Sequence, residues 1–251
     1  MKMKAWDLIL DPPLDGETNM MVDADLLQSL EQSGETRTVL RFYSWIRPTV
    51  SLGRNQRREK ALDLEFCLSS GLDVVQRPTG GRAVLHADEI TYSVVSNDTE
   101  PFDGASIYDT YRRISEALLI GYRRLGVDTV LAPDTRRLGT SENGVDYPCF
   151  VSPSRYELMS GGRKVAGSAQ RRLRRSFLQH GSMPISCDRE LLARATRLGD
   201  PSLLEDEMTG IVECLDRRPS VGEITSAFLG AFEEYFEVDL RRIVDSAEIA
   251  G

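Results

Sequence analysis

Residues 74–86 of the chain read Val74-Val75-Gln76-Arg77-Pro78-Thr79-Gly80-Gly81-Arg82-Ala83-Val84-Leu85-His86. The Gly80-Gly81 pair lies between two apolar runs that resemble strands. Because glycine has no side chain, such a pair lets the backbone approach a ligand closely and leaves N–H groups that can bind an oxyanion or a carbonyl oxygen. A plain hairpin turn gives the same pattern, and spacing alone favours the turn.

The spacing of apolar residues on either side of this stretch predicts alternating strands and helices. We expect strands at 6–10, 38–45, 49–52, 72–76, 82–86, 89–96 and 128–131, and a meander of three strands at 155–160, 163–170 and 176–186. We expect helices at 17–32, 57–70, 105–125, 188–198, 207–215 and 220–236. Residues 133–148 form a long polar loop, which is unusual in a compact domain and often functional.

This order of elements predicts one domain over residues 1–251. Its expected class is α+β, with mixed, mostly antiparallel sheets flanked by helices.

The charge balance is acidic, since 31 lysines and arginines face 39 aspartates and glutamates in a chain of 251 residues. A net charge of -8 argues against general nucleic-acid binding. No apolar run fits a signal peptide or approaches the ~20 residues of a membrane span. We therefore expect a cytoplasmic protein that binds neither nucleic acid nor membrane.

The four cysteines, Cys67, Cys149, Cys187 and Cys214, are scattered and include no CxxC. Two histidines accompany them, so the pattern predicts neither a metal site nor a disulfide framework. Cys149 ends the long polar loop in Tyr147-Pro148-Cys149-Phe150, where a thiol can be accessible and nucleophilic. A lone cysteine is more often a small buried hydrophobe. The other three fall in or beside helical patterns, and we expect them to be structural.

Lys164 is one of four lysines and has small or apolar neighbours, namely Val165, Ala166, Gly167 and Ala169. A lysine held in such surroundings loses its proton more readily and can shuttle protons or orient a carbonyl. The alternative is a surface lysine on a strand edge, because lysines are seldom buried.

The remaining polar candidates leave their roles open. His86 and His180 are each as consistent with structural hydrogen bonding as with catalysis. Ser168 and Ser182 have no obvious base partner in the sequence, so a serine hydrolase is weakly supported. The run Arg171-Arg172-Leu173-Arg174-Arg175 is typical of a solvated face, and it can also steer an acidic partner.

Together these segments resemble the biotin/lipoate protein ligase superfamily and, within it, octanoyltransferases of the LipM type. The resemblance rests on residues 77–86 followed by Glu89-Ile90-Thr91-Tyr92-Ser93, and on residues 162–170 followed by Leu178-Gln179-His180-Gly181-Ser182. Asn19-Met20 and Ser51-Leu52-Gly53-Arg54-Asn55-Gln56 match weaker motifs. The resemblance covers about residues 5–240 and implies a biotin/lipoate protein ligase-like fold.

The resemblance implies transfer of an octanoyl group from octanoyl-acyl carrier protein to a lysine of a lipoate-dependent protein. The acceptor is a lipoyl domain or the glycine cleavage H protein. Cys149 matches the acyl-accepting cysteine, and Lys164 matches the active-site lysine. The expected substrate-binding residues are Arg77, Thr79, Gly80, Gly81, Arg82, His86, Gly167, Ser168, His180 and Gly181. The acyl group arrives on a phosphopantetheine arm, so we expect no cofactor, and we expect a monomer.

Two positions depart from the family pattern. Gln76 stands where an arginine is usual, and Ala87 replaces a common aspartate, although Asp88 follows it.

Three alternatives remain beside the transferase. They are an ATP-dependent lipoate–protein ligase, an octanoyl amidotransferase acting between lipoyl domains, and a non-catalytic acyl-binding module. Cys149 and the Gly-Gly-Arg loop favour the transferase over the ligase. The presence of both Cys149 and Lys164 argues against the module.

Overall fold

The computed structural model describes residues 4–102, 106–132 and 156–243. Its strands are β1 Lys4–Leu10, β2 Thr38–Tyr43, β3 Thr49–Leu52, β4 Asp73–Gln76, β5 Val84–His86, β6 Glu89–Ser96, β7 Val130–Leu131, β8 Leu158–Ser160, β9 Arg163–Lys164, β10 Gly167–Arg172, β11 Phe177–Pro184 and β12 Val238–Arg242. Its helices are α1 Gly16–Gln32, α2 Arg58–Ala61, α3 Leu64–Ser69, α4 Ile107–Leu125, α5 Arg189–Ala195, α6 Ile211–Leu215 and α7 Val221–Phe236.

Within the described residues the strands form three sheets. Six strands pair in the order β10-β11-β6-β2-β1-β12, and two three-stranded sheets have the orders β4-β3-β5 and β7-β8-β9. β1 runs parallel to β2 and β12, and β3 runs parallel to β4, whereas the other pairs are antiparallel. The predicted α+β class with mixed, mostly antiparallel sheets is confirmed.

The two faces of the large sheet have different partners because side chains alternate along each strand. Ile90, Tyr92 and Val94 of β6 join the main core, which also contains residues of α4 and α7. Val95 belongs to a smaller cluster with leucines of α1. Ser93, on the same face as Val95, donates a hydrogen bond to Asp23 of α1. The α1 face therefore becomes polar towards one end, and that end holds the candidate site.

The structure corrects the predicted elements at three places. The helix expected over 57–70 is divided into α2 and α3, because Asp63 caps α3 through the Phe66 N–H and its own N–H donates to the carbonyl of Ala195. The strand expected over 163–170 breaks at Val165 and Ala166, so that β9 joins β7 and β8 while β10 joins the large sheet. The meander prediction was therefore wrong.

The third correction lies near the C-terminal end of the described residues. The helical pattern at 220–236 is confirmed by α7, but the polar strand β12 that follows it was not predicted. β12 pairs in parallel with β1 from the start of the chain.

No helix in the described part of the chain is long and apolar enough to cross a membrane.

Gly53, which follows β3, packs backbone to backbone against the Gly80-Gly81 turn. A Cβ at position 53 would lie 1.9 Å from the carbonyl oxygen of Gly81. Gly81 itself has φ of 91°, a left-handed conformation that favours glycine. The backbones of Gly53 and of the Gly80-Gly81 turn can therefore come into direct contact, because none of these residues has a side chain.

We predict that Gly53→Ala lowers the free energy of unfolding by about 3 kcal/mol or more, since a backbone clash cannot be relieved by rotating a side chain. Urea denaturation measures the change. Gly34→Ala is the matched control, because a Cβ there meets no atom within 4 Å. Equal stability of the two variants would contradict the close contact.

Candidate active site

A small cavity lies where α1, the large sheet and the β4-β3-β5 sheet meet. Its volume is about 20 Å³, room for about one water molecule. Six of the predicted substrate-binding residues line it, namely Arg77, His86, Gly167, Ser168, His180 and Gly181. Residues that are more than 100 positions apart in the sequence therefore share one cavity.

The carboxylate of Asp23, on α1, organises one side of the cavity. Oδ1 accepts hydrogen bonds from Arg41 Nη1 and Ser93 Oγ, each at 2.9 Å. Oδ2 accepts from the Tyr43 hydroxyl at 2.9 Å and from His180 Nδ1 at 2.8 Å. Burial raises the pKa of Asp23, but the hydrogen bond from His180 and the charge of Arg41 outweigh burial and hold this pKa below its usual value.

His180 connects Asp23 to the glycine loop. Since its Nδ1 donates to Asp23, its Nε2 accepts from the Thr79 hydroxyl at 2.7 Å. Burial lowers the pKa of His180, and this effect outweighs the attraction of Asp23. The imidazole is therefore neutral near pH 7.

His86 forms a parallel arrangement on the other side of the cavity. Its Nδ1 lies 2.9 Å from Glu89 Oε1, and its Nε2 lies 2.7 Å from Ser51 Oγ. The Trp45 ring stacks on the imidazole with centroids 4.1 Å apart. Burial raises the pKa of Glu89, but the charge and hydrogen bond of His86 and the hydroxyl of Ser182 outweigh burial and lower it.

The Arg77 guanidinium lies inside the glycine loop and fixes its shape. Nη2 donates to the carbonyls of Gly80 and Arg82 at 2.8 and 2.6 Å, and Nη1 donates to the Ser51 carbonyl at 2.9 Å. Arg77 thus both lines the cavity and holds the loop. Nη1 of Arg82 is buried and has no hydrogen-bond partner among the described residues, and Arg82 is not part of the cavity lining.

The two departures from the family pattern have structural explanations. The Gln76 side-chain amide lies 3.0 to 3.2 Å from the carbonyls of Gly53, Arg54 and Gln56, and so fastens the turn after β3. Asp88, which follows Ala87, binds Arg218 at 2.9 Å and Ser186. Its carboxylate holds the C-terminal third of the chain against the β5–β6 turn.

Lys164 is fully buried at the end of β9, and its Nζ donates to Glu157 Oε1 at 2.6 Å. The surface-lysine alternative is therefore wrong. Its small neighbours are present as the sequence indicates, and the Glu157 carboxylate forms a buried ion pair with it. Lys164 is absent from the lining of the cavity, whereas Gly167, three residues later, is part of that lining.

Cys149 lies outside the described residues, and its role stays a prediction. The two described residues that flank 133–155, Ala132 and Tyr156, are hydrogen-bonded, with Tyr156 N–H donating to the Ala132 carbonyl at 3.3 Å. The Ala132 N–H donates to the carbonyl of Glu157 at 2.8 Å. The described residues on either side of positions 133–155 therefore lie beside the Glu157–Lys164 ion pair.

Two described cysteines are poor nucleophiles. Burial raises the pKa of Cys67, and burial with the nearby Glu213 charge raises the pKa of Cys187 to about 12. Both thiols are protonated near neutral pH. Within residues 4–102, 106–132 and 156–243, no group of three or more His, Cys, Asp or Glu side chains is placed to hold a metal ion.

A family model, the lipoyl protein ligase A/B catalytic domain, matches residues 15–233. The chain belongs to this family. It is 38% identical over 250 residues to octanoyltransferase LipM of Carboxydothermus hydrogenoformans, covering 96% of this chain and 90% of the relative. It is 37% identical over 246 residues to octanoyltransferase LipM of Moorella thermoacetica, covering 95% and 89%.

Solved structures of lipoate–protein ligases share the fold. Lipoate–protein ligase A bound with ATP has a TM-score of 0.73 and 26% identity, covering 100% of this chain and 93% of that chain. A bipartite lipoate protein ligase from Thermoplasma acidophilum has a TM-score of 0.75 and 22% identity, covering 99% and 91%. The biotin/lipoate protein ligase-like fold implied by the sequence motifs is thus confirmed.

The sequence motifs of this lipoyl protein ligase A/B family member did not indicate every residue of the cavity network. Asp23, Arg41, Glu89 and Ser51 were not singled out as site residues. Asn19 and Asp23 are buried polar residues four positions apart on the inner face of α1. Two polar residues at this spacing on the apolar face of a predicted helix are the sequence signal that could have identified them.

We predict that Asp23→Asn lowers the free energy of unfolding by about 1–3 kcal/mol at pH 7, because the buried Arg41 keeps its ion pair with Asp11 but loses the one with Asp23. Urea denaturation measures the loss. The lowered pKa of Asp23 contributes stability above the unfolded-state value of 3.8, and this contribution is lost as pH falls through the lower folded-state value. The free energies of unfolding of the wild type and of Asp23→Asn should therefore become more similar below about pH 4.

Asp25→Asn, on the exposed face of the same helix, is the control and should leave stability within about 0.5 kcal/mol. Equal effects of the two substitutions would show that Asp23 does not organise the network.

Proposed function

We propose that this chain is an octanoyltransferase that moves an octanoyl group from octanoyl-acyl carrier protein to a lysine of a lipoate-dependent protein. The acceptor is a lipoyl domain or the glycine cleavage H protein, and the intermediate is a thioester on Cys149. The observation that carries the proposal is the 38% identity to an octanoyltransferase over 96% of the chain. The geometry around Lys164 supports it.

The chemistry proceeds in two steps. Cys149 gives up its proton, and its thiolate attacks the carbonyl carbon of the octanoyl thioester. The bond from this carbon to the pantetheine sulfur breaks, and the pantetheine thiolate leaves and takes up the proton that Cys149 lost. The acceptor amine then attacks the enzyme thioester, an amide forms, and the Cys149 thiol is released. The first step exchanges one thioester for another and the second is downhill, so neither needs ATP.

Lys164 supports the first step as a fixed positive charge. A free cysteine thiol has a reference pKa of ~8.5, and a neighbouring ammonium favours the thiolate. Because Glu157 accepts a hydrogen bond from the Lys164 amine at 2.6 Å, the amine is held in one orientation. Glu157 is thus a positioning residue for Lys164.

Gly181 lets the side chains of Ser168 and Tyr92 pack closely against the backbone of β11 at the cavity wall. Gly181 faces Ser168 across the two strands, and a Cβ on Gly181 would lie 2.6 Å from Ser168 Oγ and from Tyr92 Cε1. The cavity wall is mainly apolar and includes Met20 and Val84. An aliphatic chain with a polar carbonyl at one end suits this lining.

A lipoate–protein ligase is the second candidate, since lipoate–protein ligase A bound with ATP has 26% identity and the same fold. A ligase would activate a free acid with ATP and would need no cysteine nucleophile. The fate of Cys149 therefore distinguishes the two functions.

We predict that the wild-type enzyme gains one octanoyl group after incubation with octanoyl-carrier protein, and that Cys149→Ala does not. Intact-protein mass spectrometry and peptide mapping measure the adduct. Cys214→Ala is the matched control, because this half-buried thiol interacts with Ser160 and is expected to be structural. The assignment of Cys149 as the nucleophile would be wrong if the adduct mapped to Cys67, Cys187 or Cys214, or if Cys149→Ala were fully active. Either result would favour a ligase.

The arginine run differs from a uniform solvated face. Arg171 and Arg172 are half-buried, and Arg172 Nη2 donates to Thr110 Oγ1 at 2.7 Å. Arg174 and Arg175 are exposed in the turn between β10 and β11. The two exposed arginines lie at one edge of the large sheet. They form a small basic patch on an enzyme whose net charge is -8. We propose that they dock the acidic carrier protein.

We predict that Arg174→Glu/Arg175→Glu raises the KM for octanoyl-carrier protein several-fold at low salt and flattens its salt dependence. Steady-state kinetics at two ionic strengths measure both effects. Arg241→Glu/Arg242→Glu reverses two exposed charges on β12, at the opposite edge of the same sheet, and should leave the KM unchanged. Unchanged KM values in both variants would show that Arg174 and Arg175 are ordinary solvent-exposed residues that do not dock the carrier protein.

A further inference from the structure

Met20 separates two spaces beside α1. It lines the inner cavity of about 20 Å³ and also an open groove of about 420 Å³ between α1 and β4. Among the described residues that line either space, Met20 is common to both. The groove is largely apolar, with contributions from Met21, Ala24, Val75 and Pro78.

The inner cavity is too small for the proposed substrate. Space for one water molecule cannot hold an eight-carbon chain, so the cavity must enlarge when the acyl group enters. The polar residues of its wall are poorly placed to move. His86 and His180 each have two hydrogen bonds of 2.7 to 2.9 Å, and the Tyr43 hydroxyl is bound to Asp23.

Met20 is the side chain that can move at low cost. It is 7% exposed and packs against Tyr43, Trp45 and Val75. A methionine side chain makes no strong hydrogen bond and has three rotatable bonds, so it adapts to irregular spaces. The space behind it is the open groove, so its displacement does not require repacking of a core.

Gly167 and Met20 line the cavity from different elements. Gly167 begins β10 three residues after Lys164, whereas Met20 approaches from α1. Because Gly167 is the lining residue closest in sequence to Lys164, we infer that the reacting carbonyl lies beside Gly167 and that the distal carbons lie against Met20.

We propose that Met20 closes the distal end of the acyl site and sets the longest acyl chain that the enzyme accepts. Chains longer than octanoyl reach the groove only when residue 20 has a small side chain. This inference rests on the proposed octanoyl transfer and deepens it by assigning its chain-length determinant.

The test is a competition among hexanoyl-, octanoyl-, decanoyl- and dodecanoyl-carrier protein at equal concentrations. Intact-protein mass spectrometry measures the distribution of acyl adducts on the enzyme. Met20→Ala should raise the dodecanoyl-to-octanoyl ratio about tenfold or more, because burial of added methylenes discriminates chains by this order. Met20→Phe should lower the octanoyl-to-hexanoyl ratio instead.

Met21→Ala is the matched control. Met21 is 57% exposed and lines the groove without lining the inner cavity, so its removal should leave the distribution unchanged. Circular dichroism checks that each variant is folded. If Met20→Ala does not fold, the octanoyl-to-hexanoyl ratio of Met20→Phe tests the proposal instead.

An octanoyl adduct on the wild type combined with unchanged ratios in the folded Met20 variants would overturn the role of Met20 and leave the transferase intact. A shift of equal size in Met21→Ala would also overturn it. If the wild type carried no adduct of any length, the proposed function and this inference would fail together.

Discussion

The buried carboxylate of Asp23 is the interaction on which the candidate site depends. Its four donors come from β2, β6 and β11, so one side chain of α1 fixes the helix against three strands of the large sheet. Through His180 and Thr79 the same network reaches the glycine loop. A buried charge is costly unless it is paired, and this set of partners determines where α1, and with it Met20, must lie.

A second constraint is the break at Val165 and Ala166. At this break the chain leaves the small β7-β8-β9 sheet and enters the large sheet. Lys164 and Gly167 are therefore close in sequence but belong to different sheets. Lys164 is thereby buried against Glu157, and Gly167 enters the cavity wall. The charged group and the cavity are therefore held by separate parts of the fold, and enlargement of the cavity need not disturb the ion pair.

The sequence predicts local features well and distant pairings poorly. Glu89–Ser96 and Gly16–Gln32 follow from their periodicity, and the motif residues around Arg77 and His180 do line one cavity. The strand Val238–Arg242 was missed because it is polar and pairs with β1 over more than 200 residues. Asp23 was missed for the same reason, since its bond to His180 spans 157 positions. Glu157 was missed because carboxylates are normally exposed. Cys149, the single-domain prediction and the monomeric state stay predictions.

The most direct test of the account is an acyl-transfer assay with a purified lipoyl domain as acceptor, run in parallel with octanoyl-carrier protein alone and with free octanoate plus ATP. An octanoyltransferase will form octanoylated acceptor from octanoyl-carrier protein without ATP, and none from free octanoate with ATP. Product formed only from free octanoate and ATP would contradict the account and identify the protein as a ligase.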